Sequence, residues 1–216
     1  MIKLNNRLKT IGDLVENHSF VLDVGTDHGL LVIYLLKKGI KATGTDNKQG
    51  PVDNAIKNLK KEKVKGEIRL GDGLDTLKDE DTVVISGMGG LNTIGILSRN
   101  RNKLKQVKTI ILSPNNYVEQ VRRYLSKLGY YIENEVLVKE KYIYNVIVFK
   151  KGHKFYTKKD YYFGPILRRN KDKLFKEYFD RDLKSKKIIL NLITKKDYYR
   201  KFLLKRTVKM IESELK

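Results

Sequence analysis

The chain has 216 residues, no cysteine, 3 histidines and a formal net charge of +21. Its length suits one ordinary domain with an appendage. The lack of cysteine excludes disulfides, thiolate metal sites and cysteine nucleophiles. His18, His28 and His153 show no metal-ligand spacing, so a metal-free protein is expected. There is no run of about 18 apolar residues, and Met1–Arg7 leads into polar residues without an apolar signal core. No membrane association is therefore expected, and a cytoplasmic location is.

The charge is uneven. Residues 1–150 carry 25 Lys and Arg against 17 Asp and Glu, whereas residues 151–216 carry 21 against 8. Such a field attracts a polyanion and makes its binding salt-dependent. A genomic bias toward lysine would raise the charge with no such partner. Among 13 tyrosines, those in Lys141–Tyr144, Lys159–Tyr162 and Asp197–Arg200 lie beside basic residues, where they can stack on unpaired bases or pack amphipathically.

In chain order, Leu4, Leu8, Ile11 and Val15 predict an amphipathic helix over residues 3–17, with Arg7 on the flank of its apolar stripe. An apolar run (Phe20, Val21, Leu22, Val24) then stops at Gly25, and Thr26, Asp27, His28 and Gly29 lead into helical Leu30–Leu36. Strand, glycine-bearing turn and helix make the phosphate or nucleoside cradle of an open α/β sheet. A dinucleotide turn has glycine where this chain has Asp27. A carboxylate there repels a pyrophosphate and suits a ligand with a cationic centre and an amino-acid tail, of which S-adenosylmethionine is one.

Alternation continues with strand 41–46, helix 51–62, strand 66–71, strand 81–86, helix 91–104, strand 107–113 and helix 116–128. The solidly apolar strands Thr82–Ile85 and Thr109–Leu112 predict a parallel sheet covered on both faces. Tyr131–Val138 and Tyr142–Phe149 are joined by only Lys139–Lys141, too short for a crossover, so they predict an antiparallel hairpin at the sheet edge. A parallel sheet ending in such a hairpin is the Rossmann-like methyltransferase architecture rather than that of dehydrogenases. A nicotinamide enzyme is further disfavoured because no Tyr-x-x-x-Lys relay follows a serine in place.

After Gly152 strands vanish, which divides the chain into a catalytic domain, 1–153, and a basic helical domain, 154–216. Tyr161–Pro165 reads as a turn. Beyond it, two antiparallel helices of about 20 residues each, interrupted at Lys195-Lys196, are expected to pack on a shared apolar seam with a basic exterior.

Open α/β sheets bind ligands at the carboxyl ends of their strands. At the first strand end Asp23, Gly25, Asp27 and Gly29 surround the turn. At the second, Asp46 lies about twenty residues on, where a carboxylate accepts ribose hydroxyls or is simply solvated. At the third, Asp72 stands between Gly71 and Gly73, as an acceptor for an adenine amino group or as part of a plain turn. At the fourth, Ser86–Gly90 dissolves into glycines, a floor for a planar base. At the fifth, Asn115 or Asn116 can bond a base edge or cap a helix.

The segments Asp23–Gly29, Gly71–Leu74, Ile85–Gly90 and Ser113–Asn116, followed by the hairpin and by Tyr162–Leu167, closely resemble the bacterial tRNA adenine-22 N1-methyltransferases (TrmK), class I S-adenosylmethionine-dependent enzymes. The likeness covers nearly the whole chain, including Asn6-Arg7-Leu8. Two departures are visible: Thr45-Asp46 stands where the family pattern has Gly-Glu, and Ser113-Pro114-Asn115 where it has Gln-Pro-Asn. The resemblance implies a Rossmann-like sheet with a coiled-coil-like helical C-terminal domain, S-adenosylmethionine as cofactor and tRNA as substrate. It further implies cofactor contacts from Asp23, Gly25, Asp27, His28, Asp46, Asn47, Gly71, Asp72, Gly73, Ser86 and Gly87. Substrate contacts are expected from Met88, Gly89, Gly90, Pro114, Asn115 and Asn116, with Arg7 on a phosphate near the mouth. Asp27 and Asn115 are the catalytic candidates, and a monomer is expected. The rival readings are another RNA methyltransferase and a non-catalytic RNA-binding protein on a degenerate nucleotide fold.

Overall fold

The computed structural model describes residues 4–194 and 197–216. The break expected at Lys195-Lys196, and Lys3 at the start of the first expected helix, lie outside the described residues. The chain divides into two compact units, Met1–Tyr156 and Thr157–Lys216.

The first unit is a seven-stranded sheet interleaved with helices. In chain order it runs α1 (Asn6–Asp13), β1 (Phe20–Val24), α2 (Leu30–Lys37), β2 (Lys41–Asp46), α3 (Gln49–Lys61), β3 (Glu67–Leu70), β4 (Thr82–Ser86), α4 (Gly90–Arg99), β5 (Thr109–Ser113), α5 (Val118–Lys127), β6 (Tyr130–Lys139) and β7 (Ile143–Lys151). The strand order is β3-β2-β1-β4-β5-β7-β6. β1 to β5 pair in parallel, while β7 is antiparallel to both β5 and β6. The expected Rossmann-like sheet with a terminal antiparallel hairpin is therefore what forms. The order reverses between β1 and β4, and this switch point opens the crevice in which such sheets bind ligands.

Both parities of the central strands are buried. Val21, Ala42, Val84, Ile111 and Val148 join Ile11 of α1 and Leu31, Val32 and Leu35 of α2 in one core. Side chains of the other parity, Leu22, Val83, Ile85, Ile110 and Leu112, are equally covered. α1 lies against α2 and the β6–β7 hairpin.

Two helices stop earlier than the apolar spacing predicts, for one reason. Val15 and Leu104 continue the helical spacing and are buried, yet α1 ends at Asp13 and α4 at Arg99. Each side chain reaches the core from a turn (Leu104 from a short 3-10 helix), so periodicity reports burial rather than backbone. α5 likewise starts late, at Val118, because Tyr117 takes a left-handed conformation, φ 52°.

The second unit contains α6 (Lys158–Phe163), α7 (Pro165–Asn170), α8 (Lys173–Leu192) and α9 (Tyr198–Leu215). α8 packs on α9, and the pairs Ile193–Lys201 and Lys187–Glu212 show an antiparallel run. The short α6 and α7 correct the single turn expected at Tyr161–Pro165. A Thr157–Asp160 capping box starts α6, Gly164 (φ 86°) ends it, and Pro165 opens α7. Among the described residues no helix is long and apolar enough to cross a membrane.

Candidate active site

Two clefts adjoin at the carboxyl ends of the parallel strands. The smaller, about 280 Å³, is lined by Val24, Gly25, Asp46, Asn47, Lys48, Gly71, Asp72, Gly73, Met88, Asn92 and Ile96. The larger, about 500 Å³, includes Asn5, Arg7, Asp23, Gly25, Thr26, Asp27, His28, Asp46, Asn47, Lys48, Pro51, Ser86, Gly87 and Met88. Gly25, Asp46–Lys48 and Met88 belong to both.

The first turn is built by β1 delivering its backbone to β2. The amides of Gly25 and Thr26 donate to the Thr45 carbonyl at 2.8 and 3.0 Å. Gly25 is required by its φ of +75°, while a Cβ there would only push aside the Met88 methyl, the free end of a flexible side chain. Asp27 also sits in the left-handed region, φ 49°. Its amide donates to Asp46 Oδ2 at 3.3 Å, and the Lys48 amide donates to Asp46 Oδ1 at 3.1 Å. Asp46 thus ties together the loops after β1 and β2 while standing between the clefts.

Asp23 is different because it is only 4% exposed. It accepts the Thr26 hydroxyl at 2.8 Å. Burial pushes its carboxyl up to about 6, the Thr26 hydrogen bond opposes this, and the nearby Asp46 charge adds to it. A buried carboxylate raised in this way favours a cation as neighbour.

At the third strand end, Asp72 Oδ2 is held by Arg99 Nη2 at 2.9 Å, with both side chains about half exposed. One carboxylate oxygen of Asp72 therefore already has a partner, which the sequence reading of an acceptor for adenine did not include. His28 turns its carbonyl to Asn58 Nδ2 at 2.9 Å, and its ring lies 3.6 Å from Asp27.

The loops after β4 and β5 hold each other. The Asn115 amide donates to the Met88 carbonyl at 2.8 Å, and its side-chain Nδ2 donates to the Gly87 carbonyl at 2.6 Å. The Gly90 amide donates to Asn116 Oδ1 at 3.0 Å. Gly89, Gly90, Pro114 and Asn116, expected on the substrate, lie outside the lining of both clefts. Pro114 and Gly90 are buried. Asn115, a catalytic candidate, lies outside both linings as well, and is bonded to two residues that line the larger cleft: Arg7 Nη1 donates to its Oδ1 at 3.1 Å, and its Nδ2 holds the Gly87 carbonyl.

Arg7, expected on a phosphate near the mouth, lines the larger cleft half-buried and is braced by its neighbours. Its guanidinium lies 4.2 Å from the Tyr144 ring centroid, and its amide donates to Glu140 Oε1 at 2.9 Å. Sequence reasoning missed Glu140 and Tyr144 in this role, although Tyr144 stood out as an aromatic beside basic residues. It also missed Lys48, Asn92 and Ile96, which enter because the Asp46 turn and the face of α4 close the smaller cleft. Lys48, two residues past Asp46, was the legible one.

Crevice and fold together define a class: a Rossmann-like methyltransferase with an acidic nucleoside site at the sheet rim. Comparison with known proteins narrows this. The family model described as TrmK, tRNA (adenine(22)-N(1))-methyltransferase, matches residues 21–213. The Bacillus subtilis tRNA (adenine(22)-N(1))-methyltransferase is 32% identical over 158 residues, covering 70% of this chain and 66% of that protein. The crystal structure of B. subtilis TrmK superposes with a TM-score of 0.91 at 25% identity, covering 100% of both chains. A Streptococcus pneumoniae protein solved in complex with S-adenosyl-L-methionine superposes with a TM-score of 0.91 at 26% identity, covering 99% of this chain and 100% of that one. The chain belongs to the tRNA (adenine(22)-N(1))-methyltransferase family.

Proposed function

We propose that the protein transfers a methyl group from S-adenosylmethionine to N1 of an adenine in tRNA, at the position named by its family, and that the two clefts divide the task. The observation that carries this reading is Asp46, a carboxylate shared by both clefts in a member of that family. The residues present suit the cofactor. Asp46 accepts ribose hydroxyls, and the glycines at 71 and 73 with Ile96 leave a narrow, partly apolar slot for a planar base. Asp23 and Asp27 face the cationic end of the ligand in the larger cleft.

When bound, the cofactor supplies an electrophilic methyl group on a sulfonium. Adenine N1 carries an in-plane lone pair and no proton, so no residue has to act as a general base. The chain's work is positioning and exclusion of water. Met88 and Gly87 form the floor on which the target base lies. Asn115, clamped by Gly87 and Arg7, retains one amide hydrogen and one lone pair for the base edge. Asp27 offsets the positive charge that grows on the methylated base. N1 is paired in duplex RNA, so the base enters unpaired or flipped. The basic C-terminal unit holds tRNA phosphates without reading sequence. We read the enzyme as a cytoplasmic monomer, kept apart from its own copies by a net charge of +21.

Incubation with labelled cofactor and tRNA, nuclease digestion and mass spectrometry test the reaction. The expected product is N1-methyladenosine, and N6-methyladenosine would overturn the assignment. Asp27→Ala should abolish turnover while tRNA affinity stays within about twofold, the scatter expected of an exposed substitution. Full turnover would remove Asp27 from the mechanism.

A further inference from the structure

The two ends of the α8–α9 hairpin are finished differently. At one end Phe163, Phe175 and Phe179 are buried on one another, with ring centroids 4.7 to 6.2 Å apart. The same end buries Glu214 under Lys159, Arg168 and Lys171 at 3.0 to 3.1 Å. At the other end, where α8 stops at Leu192 and α9 begins at Tyr198, the apolar side chains are bare. Leu192 is 75% exposed, Tyr198 76%, Tyr199 64% and Phe202 52%.

Large apolar and aromatic side chains left exposed together at one end of a hairpin mark an interaction site. The charge around it says with what. Residues 184–206 contain nine Lys and Arg and one acidic residue, Asp197. A second copy of the chain would set those cations against nine others. The partner must therefore combine flat apolar faces with dense negative charge, and nucleobases on a phosphate backbone do so. Ring and cation already share a face here, since the Arg206 guanidinium lies 5.7 Å from the Phe202 ring centroid.

We propose that this tip is a base-stacking surface for RNA. Tyr198, Tyr199 and Phe202 take unstacked nucleobases or the open end of a base stack, while Arg200, Lys205 and Arg206 meet the flanking phosphates. The inference rests on the tRNA reading above and deepens it: the helical unit holds RNA by ring faces as well as by charge. It also gives a use to the Asp197–Arg200 motif, which the cleft does not absorb.

Two full-length variants test it. The chain has no tryptophan, so Phe202→Trp installs a single reporter whose emission base stacking quenches. Titration with tRNA, and separately with a short unpaired oligoadenylate, should quench it in both cases. The triple variant Tyr198→Ala, Tyr199→Ala, Phe202→Ala should weaken tRNA binding about tenfold or more while leaving the salt slope of log Kd unchanged, because no charge is removed. Lys205→Gln with Arg206→Gln should do the reverse and lower that slope by roughly one to two. All positions are exposed or half-exposed, and circular dichroism checks that the helices remain.

Wild-type tRNA affinity in the triple variant, or a reporter that neither RNA moves, overturns the proposal. So does a dimer in sedimentation that the triple substitution dissociates, which would give the tip to a second copy. Failure of the wild-type protein to methylate tRNA would strike the reading of the cleft instead, and the oligoadenylate titration would still decide the tip.

Discussion

The two halves of the sheet rim use their polar groups in opposite ways. The carboxyl ends of β1 and β2 and the loops after β1 and β3 present carboxylates to the clefts: Asp23 and Asp27 line the larger, Asp72 the smaller and Asp46 both. The loops after β4 and β5 turn their polar groups on one another, with Asn116 on the Gly90 amide and Asn115 on the Gly87 and Met88 carbonyls. On the proposed reading, the first half binds a charged nucleoside and the second holds a shape. A floor of the kind proposed, for a bulky, flipped base, gains more from rigidity than from spare hydrogen bonds.

The sharpest way to break this contrast is Asp46→Ala. It removes the carboxylate common to both clefts and the acceptor of the Asp27 and Lys48 amides. S-adenosylmethionine affinity by calorimetry should fall about 100-fold, a ribose contact and two charge-assisted hydrogen bonds being lost together. Asp46→Glu should recover most of it, since the carboxylate is kept. Unchanged affinity in the alanine variant would place the cofactor elsewhere.

A smaller effect is expected from pH. The Asp23 carboxyl is pushed from an ordinary 3.8 up to about 6. Its neutral form is thus favoured by folding: the stability it contributes is fully present below about 4 and is lost as pH rises through about 6. For a cationic ligand the sign is the opposite, because only the ionised carboxylate attracts it. Cofactor affinity should rise roughly tenfold between pH 5 and pH 7, with proton release, one pKa unit being worth about a factor of ten. Asp23→Asn should flatten that profile and stabilise the apo protein at pH 7. An unaltered profile in the variant would assign the titration to another group.

The sequence made the half proposed for the cofactor legible as a cleft because its signals are local. Glycine at a turn and a carboxylate at a strand end are properties of neighbouring residues, and Gly25, Asp46 and the Gly71–Gly73 loop are found where that logic puts them. The half proposed for the substrate depends on contacts distant in sequence. Arg7 meets Asn115 across 108 positions and Glu140 across 133, so nothing near Arg7 distinguishes a phosphate ligand from a brace. Pattern was also silent on α6 and α7, whose six residues apiece are too short to show a period, although Thr157 and Asp160 stood at capping-box spacing. The overlong expectations for α1 and α4 have the converse cause, since burial at Val15 and Leu104 continues after the helix stops.

Asn116→Ala gives the mildest test of the contrast. α4 begins at Gly90 behind Gly89, a residue with no side chain to cap it. Its first amide is satisfied from across the fold by Asn116 Oδ1 at 3.0 Å. Removing that acceptor should cost about 1 kcal/mol, the usual value of a helix cap, and lower the melting temperature by roughly 2–4 °C. Asn116→Asp, which keeps an oxygen in place, should restore most of it. Cofactor affinity should stay at the wild-type value in both variants, because Asn116 lines neither cleft. A tenfold loss of cofactor affinity with an unmoved melting temperature would instead make Asn116 a binding residue, and the division between a presenting half and a shape-holding half of the rim would fail at that loop.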